Sequence, residues 1–410
     1  MKSPVLLFSL LLFITYLPAQ DLQVYTIVEN LNASGGVTMG PDGNIYVSDF
    51  APSFTPPTEP TKAYKVTYGT WAASEFATGF DGASGSCFDR EDNFYQSNPF
   101  GHKISKVSTD GTVEINWATD SLGLPVGIQQ GSDGNFYVCD CSLGKIMRIL
   151  PDGTVSTFVE SDEFYCPNGL AIDPDGNLYA CNYNDGKVFK ITPDGTLSLL
   201  TQIPQLLGGP NPVGAGHLIW KNGFLFVTAI GRGQIFKVDM AGNKQLIAGV
   251  ANAFSNGDGP ALQATFSKPN GIAASITGDT LFVNVAQNSW VSNPNLLHPS
   301  HLRMITGVCS LPDVECNMVS NSKEVDVSEN NLFTVSPNPS DGRIWIAFKK
   351  EIGVKNFKLA LFDNYSRVVK TATIEQSTTF FLSTEGLPAG MYFLNVVGEA
   401  GSVTEKVIVK

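Results

Sequence analysis

Residues 166–191 read CPNGLAIDPDGNLYACNYNDGKVFKI. From Gly169 the stretch reads as strand, tight turn, strand, because apolar residues alternate on either side of Asp175-Gly176 and an Asp-Gly pair suits a turn that needs positive φ. A second hairpin starts at GKVFKI, and its turn falls at Asp194-Gly195. The same fifteen-residue window recurs along the chain. It reads GVTMGPDGNIYVSDF from Gly36, GSCFDREDNFYQSNP from Gly85, GIQQGSDGNFYVCDC from Gly127, GHLIWKNGFLFVTAI from Gly216 and GIAASITGDTLFVNV from Gly271. Asp-Gly also stands at 42–43 and 133–134. An aromatic recurs at one offset as Tyr46, Tyr95, Tyr137, Tyr179 and Phe226, with Phe282 one residue late.

Each window is followed by a strand of the KAYKV, HKISKV, GKIMRI, GKVFKI or GQIFKV type, and then by a fourth strand such as VSTFVE at 155–160. Four antiparallel strands per unit, repeated at 42 to 55 residues, predict a β-propeller blade. The sixth unit stops after HLRMI at 301–305, one strand short, while VYTIVE at 24–29 has no unit of its own. Adding the N-terminal strand to the last unit closes the ring and covers its edges. The expectation is an all-β chain: a six-bladed propeller over residues 20–316, a polar linker at 317–331, and a small Ig-like β-sandwich at 332–410.

The composition agrees. Charged residues make up only 16%, while Gly 40 and Pro 24 punctuate many short strands. A net charge of -12 without a basic stripe excludes a nucleic-acid partner. Lys2, the apolar run Val5 to Leu17 and Leu17-Pro18-Ala19 predict a signal peptide at 1–19. An exported protein can form disulfides. Cys309 and Cys316 are close enough for a local staple. Cys141 leaves a second strand and Cys166 precedes the next first strand, so both fall on one propeller face and are expected to pair. Cys139 and Cys181 hold equivalent strand positions and read as small buried residues.

The stretch at Cys166 and GDGPALQATFSKPNGIA from Gly257 resemble NHL-repeat propellers and the senescence-marker-protein/gluconolactonase family, over roughly residues 22–308. The tail resembles the sorting domain of type IX secretion systems, through Pro337-Asn338-Pro339, Gly342, Leu387-Pro388-Ala389-Gly390-Met391-Tyr392 and the terminal strand at 406–410. That resemblance implies the type IX machinery as a partner, passage through the periplasm, and a secreted or outer-membrane-surface product.

The gluconolactonase resemblance implies a divalent cation such as calcium, held in the channel by a Glu from the first blade, Asn residues from the middle and an Asp from a later one. The residues before the repeat glycines, Gly35, Ser84, Val126, Asn168, Ala215 and Asn270, are expected at the channel mouth. Asn168 and Asn270, each in Pro-Asn-Gly, are the candidate metal ligands, or else they cap turns. The first-blade Glu is replaced by Ser34-Gly35-Gly36, and the fifth-blade carboxylate by 213–217, VGAGH. Asp49 and Asp140 end second strands and are candidate acids, or else turn residues; His217 is a candidate channel group. Zinc-dependent lyase chemistry would need more channel histidines than these. Tyr165, Tyr183, Phe100 and Trp290 are expected on the same face, where they suit an unknown small molecule, glycan or protein. The incomplete carboxylate set favours a binding module. The alternative is a metal-dependent lactonase-like hydrolase of small sugar lactones or esters.

Overall fold

The computed structural model describes residues 22–207, 212–314, 316, 333–336, 340, 342–348, 357–363, 368–374, 379–398 and 401–410. The expected signal peptide at 1–19, the expected linker at 317–331 and Pro337-Asn338-Pro339 lie outside the described residues.

Among the described residues up to 316, six antiparallel sheets follow one another. Five run in strict chain order. The fourth, for example, is Pro167–Ile172, Leu178–Asn182, Lys187–Ile191 and Leu197–Gln202. The last sheet takes Ile272–Ala274, Leu281–Ala286 and Ser300–Thr306 from the end of the repeat region, and Gln23–Leu31 from the N-terminus. Val24 pairs with Ile305 and Tyr25 with Met304. A two-residue strand, Gly259–Pro260, adds to the outer side of the N-terminal strand.

The first strands stand side by side around a centre. Val37–Met39 touches Ser86–Phe88, contacts then pass through Pro125–Gln130, Pro167–Ile172, Leu218–Lys221 and Ile272–Ala274, and the last touches Val37–Met39 again. This crowding explains the repeat glycine. A Cβ on Gly85 would lie 2.3 Å from Val126 O, and one on Gly127 2.4 Å from Asn168 O. Only glycine lets neighbouring first strands approach so closely.

The repeat aromatic has a cause as well. The hydroxyls of Tyr46, Tyr95, Tyr137 and Tyr179 donate to Asp42, Asp89, Asp133 and Asp173 at 2.9 to 3.0 Å, and each Asp also caps its own turn. Burial and the carboxylate push the Tyr137 phenol up to about 12. Two residues past the aromatic, the side chain stitches one sheet to the next. Thr228 Oγ1 donates to Asn270 O at 2.7 Å and Asn284 Nδ2 to Gly35 O at 2.9 Å. Cys139 and Cys181, both buried free thiols, hold this same position. Their Sγ atoms approach Gly169 O and Gly216 O at 3.5 and 3.3 Å, so they act as weak donors as well as small buried groups.

The C-terminal region forms a three-stranded sheet, Phe333–Ser336, Arg343–Phe348 and Thr379–Ser383, and a four-stranded one. The latter is ordered Val368–Ile374, Phe357–Asp363, Gly390–Gly398, Gly401–Val409. Both sheets contribute to one apolar core, with Ile344, Ile346 and Leu382 from the first and Leu359, Leu361, Leu394 and Val407 from the second.

Candidate functional site

The loops that enter first strands and leave second strands converge on one face and enclose a cavity of about 710 Å³. That volume suits a small organic ligand. Four of the six residues that precede repeat glycines line it: Ser84, Val126, Asn168 and Asn270. Ser34 lines it in the first sheet, in place of Gly35. The walls are aromatic and apolar, with Phe50, Phe54, Phe100, Phe164, Tyr165, Tyr183, Leu124 and Ile230. Trp290 stands behind Phe54, stacked at 6.1 Å with an interplanar angle of 10°.

A disulfide between Cys141 and Cys166 ties two of the lining loops together, and a second joins Cys309 and Cys316. Asp279 brings a carboxylate oxygen within 4.8 Å of the second pair. Those sulfurs are bonded to each other, and Asp279 accepts the Cys309 N–H at 3.1 Å, which leaves no thiolate site there.

The candidate ligands and acids are placed as follows. Asn168 Nδ2 donates to Gly216 O at 2.6 Å and Asn270 Nδ2 to Ser34 O at 2.8 Å. Their amide nitrogens thus fasten neighbouring units, and both residues line the cavity. Asp140 is fully buried and accepts from the backbone N–H groups of Gly123, Leu124 and Leu143 at 2.6, 2.9 and 3.1 Å. It caps the loop into its own sheet, which accounts for its place at the end of a second strand. Asn98 and Asn182 do the same, bonding Asp81 N and Glu163 O.

Asp49 differs. Its Oδ1 lies 2.8 Å from His298 Nε2, and that nitrogen is 3.4 Å from Ser34 Oγ, which donates to Ala51 O at 3.1 Å. His217 stands just before the strand Leu218–Lys221, and its buried Nε2 has no hydrogen-bond partner among the described residues. Burial pushes its imidazole down to about 4, so it is neutral at physiological pH. As a donor set for a hard divalent cation, the two neutral amide oxygens of Asn168 and Asn270 are weak, and the carboxylates that line the cavity, Glu160 and Asp162, stand at exposed positions. The residues present therefore do not fit a calcium centre of the carboxylate kind.

Two residues of the site escape sequence reasoning. His298 is one. Lys268 is the other: it lines the cavity, is 1% exposed, and donates from Nζ to Asn293 O and Leu296 O at 2.8 and 2.7 Å. His298 lies in the long connection between Leu281–Ala286 and Ser300–Thr306, and Lys268 stands just before the sixth unit's first strand and bonds that connection; only the first unit, at 49–60, has a comparably long one among the described residues.

Fold and site together define a β-propeller with a ligand-sized cavity at its channel mouth, followed by a separate C-terminal β-domain. The chain belongs to the virginiamycin B lyase family, whose model matches residues 20–248. Residues 334–410 match the secretion system C-terminal sorting domain, which implies export to the cell surface or beyond and an interaction with the type IX machinery. No helix among the described residues is long and apolar enough to cross a membrane.

Among solved structures, the chain is similar to an auxiliary nutrient binding protein from Bacteroides thetaiotaomicron, at 11% identity and a TM-score of 0.54, over 69% of this chain and 76% of the other. It is similar to a gluconolactonase from Xanthomonas campestris at 15% identity and a TM-score of 0.50, over 70% and 90%. Virginiamycin B lyase from Staphylococcus aureus matches at 15% identity and a TM-score of 0.48, over 70% and 98%. At these identities the likeness is one of fold. No curated protein matches the chain.

Proposed function

We propose that this protein is a secreted or surface-displayed recognition propeller of six blades that binds a small, largely apolar ligand at its channel mouth. Residues 1–19 serve as signal peptide, 20–316 as the propeller, 317–331 as linker and 332–410 as an Ig-like sorting domain. Pro337-Asn338-Pro339, Gly342, Leu387, Pro388, Gly390 and Tyr392 are the motif read by the type IX machinery during passage from the periplasm.

The observation that carries the binding reading is the composition of the cavity. Most of its lining is aromatic or apolar, with Ser34, Ser84, Asn168 and Asn270 as neutral groups that can orient a ligand and Lys268, Glu160 and Asp162 as its charged members. Asp140, a candidate acid of this face, is spent on three backbone N–H groups. Such a lining supports recognition more readily than activation of water.

One observation favours a second reading, hydrolysis or elimination on a small ester or lactone. Asp49 and His298 make a carboxylate–imidazole pair beside Ser34, in a family named for a lyase. The test is calorimetric titration of the purified chain with calcium, zinc and manganese, followed by a gluconolactone hydrolysis assay with each metal. Absence of turnover supports recognition. Metal-dependent turnover lost in Asn168→Ala overturns it in favour of a lactonase-like hydrolase.

A further inference from the structure

We propose that the ligand of the channel-mouth cavity is an amphiphilic monocarboxylate, its carboxylate received by Lys268 and its apolar body by the aromatic wall. This rests on the cavity being a binding site, and it adds the chemical class of what binds there.

The starting point is a charge without a counter-charge. Lys268 is buried, and its ammonium has three protons to give. Two go to the carbonyl oxygens of Asn293 and Leu296, and the ring of Trp290 lies 4.9 Å from Nζ. These neutral partners hold the cation in place without cancelling its charge. Among the described residues no carboxylate forms an ion pair with it, and the third proton has no protein acceptor. Its backbone holds φ at +49°, a conformation disfavoured for any residue with a Cβ. A buried, unpaired ammonium is costly, and chains rarely keep one unless something neutralises it.

Because Lys268 lines the cavity, the missing anion can come from the ligand. The remaining surface narrows the class. Phe54, Phe100, Val126 and Ile230 call for an apolar or aromatic body. Glu160 and Asp162 line the same cavity at exposed positions and oppose a multiply charged anion such as a polyphosphate. A single carboxylate satisfies the lysine without strong repulsion from the acids.

Burial alone pushes the ammonium down to about 8, and no carboxylate or second cation acts on it. The group is therefore charged below that pH and neutral above it. This gives a test that needs no variant. The full chain is titrated by calorimetry with acetate, phenylacetate and indole-3-acetate, and with the corresponding primary amides, from pH 6 to about pH 10.

Phenylacetate and indole-3-acetate are expected to bind at least about tenfold more tightly than their amides at pH 6 to 7. That preference should fade as the pH rises past 8, and Lys268→Met should abolish it at every pH. Equal affinity of acid and amide in the native chain overturns the carboxylate assignment while leaving the recognition cavity standing. Failure of both to bind overturns the two readings together. The native-chain pH series decides the matter even if Lys268→Met does not fold.

Discussion

Asp49 Oδ1 lies 2.8 Å from His298 Nε2, which joins the loop leaving the first sheet's second strand to the connection between Leu281–Ala286 and Ser300–Thr306 of the sixth sheet. Both side chains are largely buried, so the contact fastens the two sheets between which the ring closes. Replacing His298 by Ala leaves a buried carboxylate without its partner, and the expected loss is about 1 to 3 kcal/mol of stability. The double variant with Asp49→Asn should recover part of that loss. Denaturant unfolding of the single and double variants measures it. In a recognition propeller the single variant binds ligand almost as the native chain does. Loss of a measurable turnover with unchanged binding would instead make the pair catalytic.

The two disulfides should differ in worth. Cys141–Cys166 closes a separation of 25 residues and Cys309–Cys316 one of 7. By loop-closure entropy the first contributes about 3 kcal/mol and the second about 2. The C141S/C166S variant is expected to lower Tm by roughly 10 °C, more than C309S/C316S does. Because Cys141 and Cys166 line the cavity, the first variant should also weaken ligand binding, which the second should leave unchanged. Thermal unfolding and titration of the two variants side by side give both comparisons.

His217 predicts an acid limb. Burial pushes its imidazole down to about 4 in the folded chain, against an ordinary value of 6.5, because charging it there costs solvation. Between those values the unfolded chain holds the extra proton, so stability falls as pH drops from about 6.5 towards 4, by about 3 kcal/mol in all. His217→Gln cannot take up that proton. Its stability should lose less than the native chain's over the same interval, when unfolding is followed in urea at pH 7 and pH 4.5. Parallel losses in the two proteins would refute the assignment.

The parts of this molecule that repeat were legible in the sequence. Gly85, Tyr95 and Ser97 each have counterparts in the other units, and the missing strand of the sixth unit pointed to Val24 and its neighbours. The cavity face was legible for the same reason, since Ser84, Val126, Asn168 and Asn270 hold one repeat position. Asp140 shows where residue type leaves two roles open. A carboxylate at a strand end serves equally as acid or as cap, and only the approach of three backbone N–H groups decides between them. Lys268 and His298 were not legible, because both lie outside the recurring window, and where the sixth unit has Lys268 three residues before its repeat glycine other units have Leu124, Cys166 and Val213. Their partners, the carbonyls of Asn293 and Leu296 and the carboxylate of Asp49, are set by irregular loops and by closure of the ring.

The same logic of closure governs the tail. Ser340 is buried, its N–H donates to Ile408 O, and its carbonyl accepts the Lys410 N–H at 2.9 Å. Its hydroxyl contacts Thr384 Oγ1 at 2.6 Å, so one residue pins the last strand to both sheets of the domain. Removing residues 406–410 takes away two of those bonds and the four final strand pairs, from Phe393–Lys406 to Gly390–Val409. The truncated chain is expected to misfold its sorting domain and accumulate in the periplasm. By contrast, Tyr392→Phe loses the hydrogen bond from the hydroxyl to Pro388 O, about 1 kcal/mol, and should still be exported. Fractionation of cells expressing each form tests both. If the truncated chain reached the surface as well as the native one, the machinery would be reading a linear motif rather than a folded domain.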